Sequence, residues 1–223
     1  MCNVSGIIFG VKNLTKEEVQ GKRVLEIGSY DANGSLRPIL ETWQPAEYVG
    51  VDIEKGPGVD VICKVEDIIR EFGKENFDVV ISTEVIEHVL DWRKALSNMK
   101  NICKPDGIIL ITTRSYGYPF HPTPCDFWRY ESEDMENIFS DCELISLEKD
   151  PRDPGIFIKI RKPMQFVEKD LSHYELYSMV VNKRVREISD SDLRNLYFLW
   201  LSLSKKIATL LFKTSKIIFN KLR

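Results

Sequence analysis

The chain has 223 residues, of which 43% are hydrophobic and 29% are charged. This composition indicates one globular domain with a sizeable core and room for an appendage. No run approaches the roughly 18 apolar residues of a membrane span, and the N-terminus lacks the features of a signal peptide. The five cysteines form no C-x-x-C pair, which argues against a disulfide framework or zinc site and favours a cytoplasmic location.

The net charge of −3 conceals an uneven distribution. Residues 1–192 contain 24 basic and 34 acidic residues, a net charge of −10, whereas residues 193–223 contain seven bases and no acid. An acidic body is not expected to bind nucleic acid. The basic C-terminal segment predicts a partner of its own.

Short apolar runs alternate with helical patterns in the first half of the chain. The capping-box spacing of Thr15 and Glu18 predicts a short helix that ends at Gly21. The predicted strands are 24–27, 48–51, 59–62 and 77–81, and the helical patterns are 35–42, 66–72 and a segment after Asp91. This alternation predicts an open parallel sheet with helices on both faces.

The second half of the domain continues the pattern. Pro105-Asp-Gly107 predicts a turn into a fifth strand at 108–112. A loop rich in proline and aromatic residues follows at 115–130, and a helix is expected from Ser132. Two last strands are expected at 143–147 and 156–160.

Three of these runs end in an acid or a small residue, as buried strands do when their carboxyl ends open onto a ligand crevice. They are Arg-Val-Leu-Glu-Ile-Gly (23–28), Tyr-Val-Gly-Val-Asp (48–52) and Phe-Asp-Val-Val-Ile-Ser-Thr-Glu-Val-Ile-Glu-His (77–88). Their order and content resemble the class I S-adenosylmethionine-dependent methyltransferases, type 11 group. The resemblance implies an α/β fold, a Rossmann-like seven-stranded mostly parallel sheet with helices on both faces, and S-adenosylmethionine as cofactor.

The strand ends supply the expected cofactor site. A carboxylate at Glu26 suits the α-ammonium group of the cofactor, and Gly28 permits close approach of the backbone. Asp52 ends the second strand, where a carboxylate accepts hydrogen bonds from ribose hydroxyls. The resemblance places Val65 and Glu66 against the adenine.

Two departures from the family pattern concern the same site. Tyr30 and Ala32 stand at the later positions of the family's glycine-rich loop, so the loop is expected to be longer or differently shaped. Lys64 replaces the acid that commonly precedes the adenine contact. Thr83, at the end of the fourth strand, completes the expected cofactor-binding residues.

An acid-rich turn follows the fourth strand. Glu84, Glu87 and His88 share one side of it by their spacing, and the resemblance places such a Glu-x-x-Glu-His beside the transferred methyl group as catalytic residues. In some relatives these residues bind a divalent metal, and carboxylate oxygens suit Mg²⁺ or Mn²⁺. His121 is a further candidate. The alternative is a structural role in which the imidazole bonds to the backbone.

The loop at 116–130 leaves the carboxyl end of the fifth strand and is expected to cover the crevice. Its aromatic side chains suit sugar rings or flat acceptors, and Arg129 suits a carboxylate or phosphate. The alternative is that Trp128 and Tyr130 pack under the following helix while Arg129 pairs with an internal acid.

Residues 193–223 have the pattern of a basic amphipathic helix with Trp200 on its apolar arc, although Phe198, Phe212 and Lys221 depart from the pattern. It predicts either an interfacial membrane helix or a homodimer or docking helix. We therefore divide the chain into a methyltransferase domain at 1–165 and a helical extension at 166–223.

The predicted function is methyl transfer from S-adenosylmethionine, favouring the oxygen of a small, glycan or lipid-linked acceptor. A nicotinamide-dependent dehydrogenase or epimerase is the weaker enzyme alternative, because its G-x-G-x-x-G is absent after the first strand. A non-catalytic cofactor-binding module that anchors a complex at a membrane is the third hypothesis.

Overall fold

The strands are arranged in two sheets. The structure, a computed structural model, describes residues 3–122 and 124–205. In chain order the strands are β1 (Arg23–Ile27), β2 (Glu47–Asp52), β3 (Val61–Ile62), β4 (Phe77–Thr83), β5 (Cys103–Arg114), β6 (Trp128–Arg129), β7 (Glu143–Lys149), β8 (Gly155–Arg161), β9 (Leu176–Ser178) and β10 (Lys183–Val185).

The large sheet has seven strands in the order β3-β2-β1-β4-β5-β8-β7. Strands β1 to β5 are parallel to one another, whereas β8 is antiparallel to both β5 and β7. The predicted Rossmann-like, mostly parallel seven-stranded sheet is thereby confirmed. The carboxyl ends of β1, β2 and β4 consequently meet at one edge of the sheet.

Helices cover both faces of this sheet. They are α1 (Val4–Asn13), α2 (Lys16–Val19), α3 (Arg37–Glu41), α4 (Ile68–Phe72), α5 (Trp92–Ile102) and α6 (Ser132–Ile138). One core contains Leu25 and Ile27 of β1 with the apolar stripe of α5, and the other contains Val24 with residues of α1 and α2. The central strands are buried on both faces, which explains why their sequences are almost continuously apolar.

The turn predicted at Pro105-Asp-Gly107 is built into a strand. β5 begins at Cys103, which pairs with Phe77, and the regular pairing resumes at Ile108 opposite Val79. The intervening residues bulge out of the ladder, and Asp106 adopts a left-handed backbone with φ 61°. The turn was predicted correctly, but β5 begins before the turn rather than after it.

The segment after residue 165 differs from the predicted helical extension. β9 and β10 form an antiparallel hairpin, and β9 pairs with β6 of the aromatic loop through Trp128↔Ser178 and Arg129↔Tyr177. A 3-10 turn at Asp192–Arg194 precedes a helix at 196–205. The rest of the predicted helix, 206–223, lies outside the described residues.

A buried lysine ties the end of α6 to α5. The side chain of Lys100 is fully buried, and its ammonium group donates to both carboxylate oxygens of Asp141 (2.8 and 2.7 Å) and to the carbonyl of Ile138 (2.7 Å). A charge removed from water needs such compensation, because an unpaired buried ammonium is very unfavourable.

We predict that Asp141→Ala lowers the free energy of unfolding by roughly 3–5 kcal/mol, because it leaves the Lys100 ammonium buried without its counter-ion. Urea unfolding measures this change. The double variant Lys100→Met/Asp141→Ala should recover most of the loss. Glu143→Ala removes an exposed partner of Arg161 and serves as the control, with a change within about 1 kcal/mol. Equal losses in the two single variants would contradict the prediction.

Candidate active site

The predicted cofactor residues lie at the carboxyl edge of three adjacent strands. Glu26 of β1 lies between Gly50 of β2 and Ile81 of β4 in the register. Asp52 is the last residue of β2, and Thr83 is the last residue of β4. The acids that sequence patterns assigned to one crevice are therefore neighbours across the sheet.

Glu26 is a buried carboxylate held by hydroxyl groups. It accepts a hydrogen bond from the Tyr48 hydroxyl (2.9 Å) and longer ones from Ser35 (3.4 Å). Burial raises its pKa to about 7, although Tyr48 and the charge of Arg37 work against this shift. A carboxylate in this state is stabilised by any cation that binds nearby, which suits the ammonium group expected from the resemblance.

Gly28 brings the first loop against the turn after β4. Its φ is 79°, and a Cβ built there would lie 2.1 Å from Cγ2 of Val85. A side chain is thus excluded for both conformational and steric reasons. The space next to Gly28 is filled by Val85, so the predicted contact of Gly28 with the methionine part of the cofactor stays a prediction.

Asp52 organises the two loops beside it. Its carboxylate accepts the backbone N–H groups of Tyr30 (3.2 Å) and Glu54 (3.1 Å). The ring of Tyr30 packs on Gly56, where a Cβ would lie 2.1 Å from the ring. The loop that departs from the glycine-rich pattern is therefore closed against the loop after β2. Each carboxylate oxygen keeps a second lone pair for a ribose hydroxyl.

The expected adenine contacts follow β3 in the chain and pack against α5. Ile62 of β3 pairs with Asp52. Val65 begins the 3-10 turn Val65–Asp67 and is buried, and its carbonyl accepts from the side chain of Asn98 (2.9 Å). Glu66 is half-buried in the same turn. The contact of Val65 and Glu66 with the adenine stays a prediction.

Two buried hydroxyls show that this edge fits a polar ligand. Among the described residues, Oγ of Ser29 and Oγ of Ser82 are buried without a hydrogen-bond partner. Buried polar groups are normally satisfied, so such atoms at a strand edge indicate a missing partner. With Glu26 and Asp52, they form a set that fits S-adenosylmethionine.

Glu84 does not join the catalytic group predicted for it. Its backbone is left-handed with φ 57°, and its carboxylate contacts the guanidinium of Arg114 and the hydroxyl of Thr112 (3.1 Å). Arg114 also pairs with Asp150 at 3.2 Å and lies over the ring of Tyr118. Burial and the charge of Glu87 raise the pKa of Glu84, whereas Arg114 lowers it. The structure gives Glu84 an internal ion pair.

The other three predicted residues converge. Oε1 of Glu87 lies 3.8 Å from Nε2 of His88 and 3.8 Å from Nε2 of His121. The two imidazole rings meet edge to face with centroids 4.8 Å apart. One ligand atom from each residue lies within 4.8 Å of the others. These residues, which we call the Glu-His-His cluster, surround one point in space.

Each member of the Glu-His-His cluster is held from behind. Nδ1 of His88 bonds to the carbonyl of Cys125, and Nδ1 of His121 lies 2.9 Å from the carboxylate of Asp126. Oε2 of Glu87 accepts from the hydroxyl of Thr113 (2.9 Å). These contacts orient the remaining Oε1 and Nε2 atoms towards one another.

The same contacts determine the charges. Burial lowers the pKa of His88, so its imidazole is neutral at pH 7. Burial disfavours the charged form of His121 too, but Asp126 and Glu87 outweigh it and raise its pKa to about 9. The two imidazoles in turn outweigh the burial of Glu87 and lower its pKa to about 2. Glu87 and His121 therefore form an ion pair beside a neutral His88.

Sequence reasoning missed several supporting residues. Arg114 is the last residue of β5, and a charged residue at the end of a buried strand was the available signal. Asp126 was visible only as one acid in the aromatic loop. It holds Arg129 through two hydrogen bonds of 2.5 and 2.8 Å, and Arg129 is 1% exposed. Trp128 and Tyr130 are fully buried. The alternative in which Arg129 pairs with an internal acid is confirmed, and the proposed ligand contact of Arg129 is wrong.

The strand order and the acids at the carboxyl edge are those of a class I S-adenosylmethionine-dependent methyltransferase fold. A family model described as a methyltransferase domain matches residues 9–147. The chain belongs to this family, as its sequence predicted, and the dehydrogenase alternative is excluded.

Named relatives match shorter stretches. A segment of 52 residues is 40% identical to the human mitochondrial ubiquinone biosynthesis O-methyltransferase and represents 23% of this chain and 14% of that protein. A segment of 112 residues is 28% identical to phthiotriol/phenolphthiotriol dimycocerosates methyltransferase 1 of Mycobacterium ulcerans. The match covers 45% of this chain and 41% of that protein. The matched segments span less than half of these relatives.

Solved structures share the fold. A S-adenosylmethionine-dependent methyltransferase from Mesorhizobium loti superposes with a TM-score of 0.56 at 14% identity, covering 72% of this chain and 99% of that one. The 1,6-didemethyltoxoflavin-N1-methyltransferase of Burkholderia thailandensis was solved with bound 1,6-didemethyltoxoflavin and S-adenosylhomocysteine. It superposes with a TM-score of 0.55 at 13% identity, covering 71% of this chain and 76% of that one.

We predict that Glu26→Gln stabilises the ligand-free protein at pH 8 by at most about 3 kcal/mol and has little effect near pH 5. The folded pKa of about 7 exceeds the ordinary value of 4.5. The stability contributed by this group is therefore complete below pH 4.5 and is lost as the pH rises through 7. Glutamine, which mimics the protonated form, avoids that loss.

Urea unfolding at the two pH values measures this effect, with the exposed Glu71→Gln as control. A stability difference that does not change with pH would argue against the raised pKa. The same variant should weaken S-adenosylmethionine binding at pH 8, because an amide does not compensate the charge of an ammonium group.

Proposed function

We propose that this protein transfers the methyl group of S-adenosylmethionine to the oxygen of a hydroxyl acceptor, and that His88 removes the acceptor's proton. The observation that carries the proposal is the Glu-His-His cluster at the carboxyl end of β4, beside the edge that fits the cofactor. The cofactor supplies an activated methyl group on its sulfonium. The chain's own residues must align the acceptor and accept a proton.

His88 is the member of the cluster suited to accept that proton. A carbonyl oxygen only accepts hydrogen bonds, so the contact with Cys125 assigns the proton to Nδ1 of His88. Nε2 therefore carries the free lone pair, and it faces the centre of the cluster. The ionised Glu87 is a weak base, and the protonated His121 has no lone pair to offer. Their role is electrostatic, since Glu87 stabilises the imidazolium that forms on His88.

The step balances without a further reactant. The acceptor oxygen forms a bond with the methyl carbon while the carbon–sulfur bond breaks, and the electron pair of that bond returns to sulfur. The proton of the acceptor hydroxyl moves to Nε2 of His88 and then to solvent. Oxygen is favoured over carbon or nitrogen by this base and by the names of the ubiquinone biosynthesis O-methyltransferase relatives.

The surroundings of the cluster support a ring-shaped acceptor. The ring of Tyr118 meets His121 edge to face at 4.9 Å and carries the Arg114 guanidinium at 4.0 Å on its face. Tyr116 of the same loop and Tyr177 of β9 form a second edge-to-face pair, with centroids 4.9 Å apart. Aromatic walls of this kind pack on phenolic or sugar rings. We therefore propose a hydroxylated aromatic or glycan acceptor.

A divalent cation is the alternative at the same three atoms. Glu87, His88 and His121 each have a further contact, with Thr113, the Cys125 carbonyl and Asp126 respectively. Metal ligands are commonly oriented by such contacts. One carboxylate and two imidazoles suit Mn²⁺ better than Mg²⁺, which prefers oxygen ligands. A cation bound there would acidify the acceptor hydroxyl. On this alternative EDTA abolishes turnover and Mn²⁺ restores it, and Mn²⁺ binding measured by calorimetry is lost in His121→Ala. The proposal for His88 expects turnover that EDTA does not change.

We predict that His88→Asn lowers kcat by about 10²- to 10⁴-fold while the affinity for S-adenosylmethionine stays within about twofold. Asparagine keeps a donor for the Cys125 carbonyl but has no equivalent of Nε2. Formation of S-adenosylhomocysteine with a panel of phenolic and sugar hydroxyl acceptors gives kcat, and calorimetry gives the affinity.

The exposed His173→Asn is the matched control and should leave both quantities unchanged. Wild-type turnover in a folded His88→Asn protein would show that His88 has only a structural role. If the wild type binds the cofactor but produces no S-adenosylhomocysteine with any acceptor, the non-catalytic binding module is the better description.

A further inference from the structure

The helix at 196–205 exposes a continuous apolar stripe. Leu196, Leu199, Trp200 and Leu203 are 85%, 50%, 65% and 58% exposed, and their spacing places them on one face of the helix. We call these four side chains the tail face. Large apolar side chains that are adjacent and exposed indicate a surface that another apolar body covers.

The opposite side of this helix is fixed to the body. Asn195 caps the helix by accepting the N–H of Phe198 (2.7 Å), and its amide donates to the carbonyl of Val180 (3.0 Å). The ring of Phe198 packs edge to face on Phe120 at 5.9 Å. The tail face therefore points away from the protein in a defined direction.

The charge around the tail face identifies its partner. Seven bases and no acid follow Asp192, whereas residues 1–192 carry −10. Arg194 and Lys205, at the two ends of the described helix, are exposed. A second tail of the same sequence carries the same excess of positive charge, and like charges oppose the pairing of two tails. An apolar face with Trp and flanking bases suits an anionic lipid surface.

We propose that the tail face inserts at the headgroup boundary of an anionic lipid bilayer and that the net positive charge of the sequence after Asp192 favours this attachment. Within the described residues, no helix is long and apolar enough to cross a membrane, and the proposed contact requires only lateral insertion. Trp200 lies at the depth that its amphipathic ring prefers, and Lys205 extends towards the headgroups.

This attachment also positions the active site. Phe120, the partner of Phe198, precedes His121 of the Glu-His-His cluster. The membrane-bound helix therefore contacts the loop that carries a cluster residue, and the acidic body is repelled from the anionic surface. This consequence, unlike the attachment itself, rests on the proposed function: the acceptor would be a hydroxyl compound that resides in the membrane.

Vesicle flotation with the full chain tests the attachment. We expect binding to vesicles of phosphatidylglycerol and phosphatidylcholine, no binding to phosphatidylcholine alone, and an at least tenfold loss at about 1 M salt, where the screening length is only about 3 Å. Leu199→Ser/Leu203→Ser should lower binding at least tenfold. Val167→Ser removes an apolar side chain of the body that is more exposed than either leucine, and it should have no effect. Brominated lipid should quench the tryptophan fluorescence of the wild type more than that of the Trp200→Phe variant.

Two results would overturn the proposal. One is failure of the full chain to bind anionic vesicles together with a dimer in analytical ultracentrifugation that Leu199→Ser/Leu203→Ser dissociates. The other is vesicle binding that this double variant leaves unchanged. Cofactor binding and methyl transfer to water-dissolved acceptors are measured separately on the same variants, so a failure of attachment is distinguishable from a failure of the proposed function.

Discussion

Two carboxylates buried at the end of β4 determine how this site is built. Glu84 and Glu87 are almost completely removed from water, and neither charge is tolerable without a partner. The partners come from the adjacent strand and the loop after it: Arg114 for Glu84, and Thr113 and His121 for Glu87. The pairing of Thr83 with Thr112 places these partners within reach. The register of two strands thus fixes the geometry of the Glu-His-His cluster.

The separation of the two glutamates has a chemical result. Arg114, which also pairs with Asp150, is the internal partner of Glu84, while Glu87 faces the two histidines. One carboxylate stabilises the fold of the crevice floor, and the other is available to stabilise charge during a reaction. Together with Glu26 and Asp52, these acids make the carboxyl edge of the sheet attractive to a cofactor that carries a positive sulfonium.

The sequence contained most of the sheet and part of the site. Buried parallel strands need continuous apolar runs, so β1, β2 and β4 could be predicted from the sequence. Acids directly after such runs must lie at one edge of the sheet. The pattern did not show which acid meets which base. Glu84 and Glu87 share a turn, but a left-handed backbone at Glu84 directs its side chain to Arg114. The partner of Arg129 depended on loop folding, and β9 and β10 are too short to produce a periodic signal.

The position of β8 has a consequence for how the chain assembles. β7 precedes β8 in the sequence, but it joins the sheet only through β8, which lies between β5 and β7. During synthesis β7 therefore has no strand to pair with until residues 155–161 have been made, and the Ile-Ile-Leu-Ile edge of β5 stays open for the same period. Open apolar edges are where chains associate wrongly. The matched family region ends at residue 147, so a fragment cut there would retain this vulnerable edge permanently.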